Sequence, residues 1–280
     1  MTRRAKGKAT GSSAVYQTTY HRPSSVDEAA ALFAKGSEAK YLAGGHTLIP
    51  VMKQRLAAPS DVIDLARIKD LVGIEVSADA VTIKAATPHY DVATSGPAQK
   101  AIPALAYLAS LIGDPAVRYR GTIGGSIANN DPSADYPAAV LALGATVKTN
   151  KRSIAADDFF KGLFATALDD GEIITQVAFP IPAKAGYSKF PHPASRFALT
   201  GVFVVKTKAG DVRVAATGAS QNGVMRVPAI EAALKANWSP AALDGIQISA
   251  NGLLSDIHGT SDYRANLTKV MAQRAVAKAG

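Results

Sequence analysis

The sequence predicts an α+β protein in two parts. The longer N-terminal part mixes strand-like and helix-like stretches without a clean β-α-β alternation. The shorter C-terminal part runs strands first and helices afterwards. The chain's 280 residues, 48% hydrophobic and 19% charged, suffice for a sizeable core of ordinary globular composition.

SVDEAAALFAKG reads as the first helix. Ser25 is placed to cap it, Glu28 stands in capping-box position, and Gly36 ends it. AKYLAGG is a short strand entering a glycine turn. DVIDLARI is a strand, and LVGIEVSADAVTIKAAT a hairpin turning near Ala78–Ala80. PALAYLASLIG is a helix ending at Gly113. A glycine loop follows, then a helix through AAVLALGA and the strand ATVKTN. DDFFKGLFATAL reads as helix, and EIITQVAFPIP as strand up to its prolines. PIPAKAG marks a boundary. It gives parts spanning 16–185 and 186–280 behind a basic tail, 1–15. FALTGVFVVKTKAGDVRVAATGAS is two strands about the turn Ala209–Asp211. Helical stretches VPAIEAALKA, SPAALDGI and SDYRANLTKVMAQRAVAKA close the chain.

The formal net charge is +9, but Arg3, Arg4, Lys6 and Lys8 all precede the first acid, Asp27. Without them 27 basic residues face 22 acidic ones, so a nucleic-acid reading rests mostly on the tail. The tail has no apolar core of a signal peptide, and no apolar run is long enough for a bilayer. The expected location is the cytoplasm, with the inner face of the membrane as an alternative. Cysteine is absent, which excludes disulfides, a thiol nucleophile and any cysteine-ligated cluster on this chain. His21, His46, His89, His192 and His258 show no metal-type spacing.

Two segments carry paired glycines between hydroxyl and apolar neighbours: AGGHT (Ala43, Gly44, Gly45, His46, Thr47) and TIGGS (Thr122, Ile123, Gly124, Gly125, Ser126). Such backbone can turn tightly, or can present N–H groups to an anion. Neither segment is a dinucleotide or P-loop fingerprint. Asp135, ten residues past Gly125, could cap the next helix or accept from ribose hydroxyls. His46 could face a ligand or be an ordinary hydrogen-bonded histidine.

Y-x-R-P-x-S (Tyr20, Arg22, Pro23, Ser25), LAGGHTLIPVMKQRLAAPSDVIDLARI and IGDPAVRYRGTIGGSIANNDPSADYPA occur in that order. Together they resemble the FAD-binding medium subunit of carbon-monoxide dehydrogenase-type molybdenum hydroxylases, a module shared with xanthine dehydrogenases. The resemblance runs from Tyr20 to about Ala275. It implies a two-part FAD-binding domain of the vanillyl-alcohol-oxidase (PCMH) type. A small three-stranded, helix-backed domain should follow.

The resemblance also implies that AGGHT and TIGGS wrap non-covalently bound FAD, largely through backbone amides on the pyrophosphate. Asp135 would contact the ribose–adenine half, Lys189 would touch FAD, and Ile173 and Ile174 would pack near the flavin. On this resemblance no residue is needed as acid, base or nucleophile. The implied partners are a large subunit with the molybdenum cofactor and a small subunit with [2Fe–2S] clusters, assembled as a dimer of heterotrimers. Electrons would reach FAD from the clusters and leave to an external acceptor. One departure stands out. Many relatives follow the lysine with a basic cluster, and this chain has Lys189-Phe190-Pro191-His192-Pro193. A free-standing flavin oxidase is the nearest alternative, and a basic nucleic-acid-binding protein a more distant one.

Overall fold

The computed structural model describes residues 16–279. The basic tail therefore lies outside the described residues. Strand β1 (Thr19–His21), helix α1 (Val26–Phe33), β2 (Ala39–Leu42), α2 (Leu48–Lys53) and β3 (Asp61–Asp64) build a parallel sheet in the order β1-β3-β2. This is a β-α-β alternation, contrary to the sequence reading. It was hidden because β1 is three residues, TYH, too short for a period, and α2 contains a proline.

Next come β4 (Ile74–Val76) and β5 (Ala80–Lys84), the hairpin read from the sequence, with Ser77 N–H donating to Ala80 C=O at 2.9 Å. Six helices follow: α3 (His89–Thr94), α4 (Gly96–Ala101), α5 (Pro103–Ser110), α6 (Pro115–Arg120), α7 (Ile123–Asn129) and α8 (Tyr136–Leu143). Then come β6 (Thr146–Thr149), β7 (Ser153–Ala155), one turn of α9 (Ala156–Phe159), a small hairpin of β8 (Phe160–Gly162) and β9 (Ala165–Thr166), and β10 (Ile174–Pro180). Strands β4, β5, β10, β6 and β7 form an antiparallel sheet in that order. DDFFKGLFATAL is thus mostly hairpin, not helix. Gly162 at φ +133° and Phe164 at φ +54° turn it, and no helix accommodates those angles.

The chain then builds a meander of β11 (Lys184–Pro191), β12 (Ala198–Lys206), β13 (Val212–Ser220) and β14 (Gly223–Arg226), backed by α10 (Pro228–Ala236) and α11 (Ser261–Lys278). This sheet has four strands rather than three. The first, β11, begins at Lys184, inside the stretch read as a linker.

Packing follows from composition. Helix α8 (YPAAVLAL) is apolar on every side, and all eight of its residues are buried. It lies between the second and third sheets, joining Val147 and Val177 on one side to Phe203, Val205 and Ala215 on the other in one core. The alternate residues of β12, Val202 and Val204, pack instead with Val214, Ile230, Leu234 and Met271 under α10 and α11. Strand β12 is buried on both faces, so its VFVV stretch, Val202 to Val205, is apolar without alternation.

Capping departs slightly from the sequence reading. Ser25 Oγ accepts from Glu28 N–H at 3.1 Å, but the Glu28 carboxylate reaches back to Ser24 N–H (2.7 Å) and Ser24 Oγ–H (2.8 Å). The reciprocal bond of the capping box is shifted by one residue.

Arg264 fixes α11 to the third sheet. It is 3% exposed, and its Nη1 donates to Leu199 C=O and Gly218 C=O at 2.7 Å each, while Nη2 meets Asp256 Oδ2 at 2.7 Å. Replacing it leaves two carbonyls without that donor, and an unsatisfied buried acceptor costs about 1–3 kcal/mol. Arg264→Leu is therefore expected to lower the urea midpoint at unchanged m-value, read by circular dichroism. An unchanged midpoint would show that the carbonyls find other donors.

Candidate functional site

The two glycine segments meet in space. β2 runs directly into Ala43–Gly45. A Cβ on Gly44 would lie 2.2 Å from Arg120 C=O oxygen and 2.6 Å from Gly121 Cα, so only hydrogen fits there. Gly45 follows at φ +78°, in the left-handed region. Thr47 then starts α2 without a side-chain cap. The N–H groups of Gly44, Gly45, His46 and Thr47 find no acceptor among the described residues. Four adjacent donors beside a helix start suit an anion. His46 and Thr47 are exposed.

TIGGS is built differently from the loop the sequence suggested. Thr122 is the N-cap of α7, and its Oγ1 accepts from Gly125 N–H at 3.1 Å. Gly124 N–H donates to Ala85 C=O at 2.9 Å. Both glycines lie inside the first helical turn, and both N–H groups already have partners. Gly124 lays the helix against the end of β5, where a Cβ would stand 2.7 Å from Ala85 C=O oxygen. Gly125 faces Ala43: a Cβ there would be 3.6 Å from Ala43 Cβ. AGGHT therefore offers the open donors, and TIGGS supplies a closely packed wall.

Asp135 occupies the N-cap position of α8, but its side chain makes no capping bond. Its carboxylate accepts from Tyr187 O–H at 2.5 Å and pairs with Lys189 Nζ at 3.0 Å, and the Lys189 ammonium also donates to Leu111 C=O at 2.8 Å. The Asp135 and Lys189 side chains are each 4% exposed. Burial pushes the Asp135 carboxyl up, and the Lys189 ammonium and the Tyr187 hydroxyl oppose that rise. The cluster ties the ends of α5 and α8 to β11. Removing one partner of such a buried pair typically costs about 3–5 kcal/mol.

His89 lies between the glycine segments and this cluster. It is 4% exposed, its backbone N–H donates to Gly121 C=O at 2.9 Å, and its ring packs on Tyr136 with centroids 5.4 Å apart. Burial, followed by the nearby His46 and Arg118, holds it neutral with a pKa of about 3. His89 Nδ1 and the Tyr136 hydroxyl are buried without a hydrogen-bond partner. Sequence reasoning missed His89, Tyr136 and Tyr187. Only the hydroxyl-bearing D-Y-P context of Tyr136 offered a signal.

Ile173 and Ile174 are buried in different clusters. Ile173 packs with the parallel sheet and Tyr41, and Ile174 packs in the main core. The dipeptide thus joins the two sheets. Tyr41 O–H donates to Gly171 C=O at 3.1 Å, which fixes this segment beside the strand that feeds AGGHT. After Lys189 the departing segment turns back through a contact between His192 Nε2 and His258 Nδ1 at 3.1 Å. A separate cavity of about 400 Å³, lined by Phe33, Glu38, Lys40, Lys151, Asp170 and Gly171, includes none of the glycine-turn residues. Among the described residues no helix is long and apolar enough to cross a membrane, and no group of three His, Asp or Glu could hold a metal.

Residues 14–182 match the family described as the FAD binding domain in molybdopterin dehydrogenase, and the chain belongs to that family. It is a medium, FAD-type subunit of the molybdenum hydroxylases and an oxidoreductase flavoprotein. The chain is 36% identical over 275 residues to the carbon monoxide dehydrogenase medium chain of Afipia carboxidovorans, covering 93% of this chain and 96% of that one. It is 35% identical to the nicotine 6-hydroxylase medium subunit of Paenarthrobacter nicotinovorans, at 93% and 96% coverage. Its fold superposes on the reconstituted carbon monoxide dehydrogenase from Oligotropha carboxidovorans with a TM-score of 0.86 at 34% identity, covering 94% of this chain and 97% of that one.

Glu172, which precedes the isoleucine pair, generates a pH prediction. Burial raises its carboxyl, but Arg152 (3.0 and 3.1 Å), the Asp169 N–H and the Thr149 hydroxyl outweigh burial and hold it at about 2. A depressed pKa contributes stability that is complete above the ordinary value near 4.5 and is lost as pH falls toward about 2. Glu172→Gln should flatten this acid limb of the stability curve and lower stability at neutral pH. An acid limb identical to the wild type's would show that other carboxylates control it.

Proposed function

We propose that this chain holds FAD between its two glycine segments and passes electrons through it. The observation that carries the reading is the set of four open N–H groups, Gly44 to Thr47, in a turn whose Gly44 packs against the Arg120–Gly121 backbone. The residues suit the cofactor: open donors for the pyrophosphate, a glycine-lined approach that a Cβ would fill, and polar groups buried close by.

Gly44, Gly45, His46 and Thr47 would bind the pyrophosphate, with Ala43, Thr122, Ile123, Gly124, Gly125 and Ser126 shaping its bed. Ile173 and Ile174 would support the flavin side. Asp135 and Lys189 would border the ribose–adenine half. A carboxylate offers about four lone-pair sites, so Asp135 retains capacity beyond Tyr187 and Lys189. Binding is non-covalent, with His46 positioned by its backbone rather than as a tether.

When bound, FAD supplies the redox chemistry, and the protein supplies position and electrostatics. The chain would work with a large molybdenum-cofactor subunit and a small [2Fe–2S] subunit, as a dimer of heterotrimers in the cytoplasm. It would pass electrons from the clusters to an external acceptor. The absence of cysteine is consistent with clusters on another chain. We assign residues 16–185 to a PCMH-type FAD-binding part and 186–280 to the helix-backed C-terminal part.

Gly45→Val and Gly125→Val are expected to abolish flavin content. The first forces a branched residue into φ +78°, where its Cβ would also stand 2.6 Å from Ile49 Cδ1. The second fills space against Thr122 Oγ1, 3.1 Å from the added Cβ. Normal flavin absorbance in both folded variants would contradict the site.

Asp135→Asn probes the other end. Asparagine keeps the shape of the side chain but loses the charge-assisted bonds to Lys189 and Tyr187, and any to FAD, each worth roughly 1.5–3 kcal/mol. Titrating FAD into the deflavinated variant should show affinity weakened about tenfold to a hundredfold. An unchanged dissociation constant removes Asp135 from the site.

A further inference from the structure

Gly121 stands immediately before TIGGS, and its backbone does not demand glycine. Its φ of −62° and ψ of 141° lie in the extended region open to any residue. The constraint is space. A Cβ on Gly121 would stand 2.7 Å from His89 Nε2 and 2.9 Å from His89 Cδ2, with the Val117 C=O oxygen next at 3.1 Å. The imidazole of His89 thus takes the place that a side chain at Gly121 would fill.

His89 is held there from two directions. The chain from Ala85 to His89 lies along Gly121–Gly124. Pro88 forms an antiparallel bridge with Thr122, Gly124 N–H donates to Ala85 C=O at 2.9 Å, and His89 N–H donates to Gly121 C=O at 2.9 Å. Tyr136, itself fully buried, packs on the ring with centroids 5.4 Å apart. A ring confined in a close-packed interior keeps one rotamer. Burial also keeps the imidazole uncharged, so it packs as a flat wall rather than as an ion.

The wall reaches the open amides through one intermediate. A Cβ on Gly44 would stand 2.6 Å from Gly121 Cα and 2.2 Å from the Arg120 C=O oxygen. The order is therefore the His89 ring, Gly121, Gly44, and then the run of N–H groups from Gly44 to Thr47. His46, inside that run, is close enough to act electrostatically on the His89 ring. Any shift of Gly121 passes to the backbone on which Gly44 rests. Hydrogen bonds weaken steeply as their angle departs from linear, so the aim of these donors matters.

We propose that His89 is a positioning residue for the cofactor: its ring sets where Gly121 stands, and through Gly44 it aims the open amides. His89 acts without touching the cofactor. Glycine is needed at position 121 because histidine stands at position 89. The inference rests on the FAD reading above and adds a residue that lies in neither glycine segment.

The test is a double-mutant cycle on the full chain. FAD is titrated into the deflavinated wild type, Gly121→Ala, His89→Ala and the double variant, each checked for folding by circular dichroism. Gly121→Ala forces a methyl group against the ring and should weaken FAD binding about tenfold. His89→Ala removes the wall and should weaken it by a similar factor. In the double variant the new methyl meets no ring, so binding should be about tenfold tighter than in Gly121→Ala alone. A residue that only stabilised the fold would give no such rescue. Arg264→Leu, which loosens α11 on the third sheet, is the control and should bind FAD as the wild type does. His89→Ala creates space rather than a clash, and it decides the matter if Gly121→Ala does not fold.

Wild-type affinity in folded His89→Ala would overturn the inference while leaving the FAD reading intact. So would a double variant that binds no more tightly than Gly121→Ala, or an equal loss in Arg264→Leu. A wild-type chain that takes up no FAD would overturn the FAD reading and the inference with it.

Discussion

One backbone approach organises the proposed site: Gly44 against Arg120 and Gly121. A side chain of any size at Gly44 would collide with a carbonyl 2.2 Å from its Cβ, and backbone cannot swing away as a flexible side chain can. This contact brings the turn that follows the parallel sheet against the segment that opens α7. It also explains why the four N–H groups of AGGHT stay open. They sit at the mouth of the contact, past the end of β2 and ahead of the first bonded turn of α2. Gly124 repeats the device at TIGGS, holding α7 on the end of β5.

The buried Asp135–Lys189 pair does the corresponding work at the other end. Charges this deeply buried are costly, and their attraction repays that cost only when the remaining lone pairs and protons are also matched. Here Tyr187 and the Leu111 carbonyl match part of them. The pair therefore fixes β11 to α8 and α5 in one register. His89 and Tyr136 lie between the two ends with unpartnered buried polar atoms. Such groups carry a desolvation cost that persists only where the surrounding fold holds them. His89 donates its backbone N–H to Gly121 C=O on one side and packs its ring on Tyr136, the residue after Asp135, on the other.

Much of this was legible in the sequence. The paired glycines, the α1 cap at Ser25, the β4–β5 hairpin and the β12–β13 meander all carry local signals that the structure keeps. Of the residues placed in the site by resemblance, Ile173 and Ile174 pack instead with the parallel sheet and the main core. The parts that were not legible share a cause: their determinants are not local. β1 is too short to show a period. β8 and β9 hold their turn with Phe164 in the left-handed region, and no sequence rule marks that position for phenylalanine. TIGGS looks like a loop because it has two glycines, but Thr122 caps a helix there and Ala85 supplies the reason for Gly124. Asp135 looked like a cap or a ribose acceptor, and only the third sheet, fifty residues further on, brings Lys189 and Tyr187 to it.

The central claim is that the open amides of AGGHT hold the cofactor while those of TIGGS are already bonded within the protein. Hydrogen–deuterium exchange of the full chain, with and without FAD, tests this most directly. The account predicts that Gly44 to Thr47 exchange fast in the deflavinated protein and become strongly protected when FAD is added, while Gly124 and Gly125 are protected in both. FAD binding that leaves Gly44 to Thr47 fast, with new protection around Phe33, Lys40 and Lys151 instead, would contradict it.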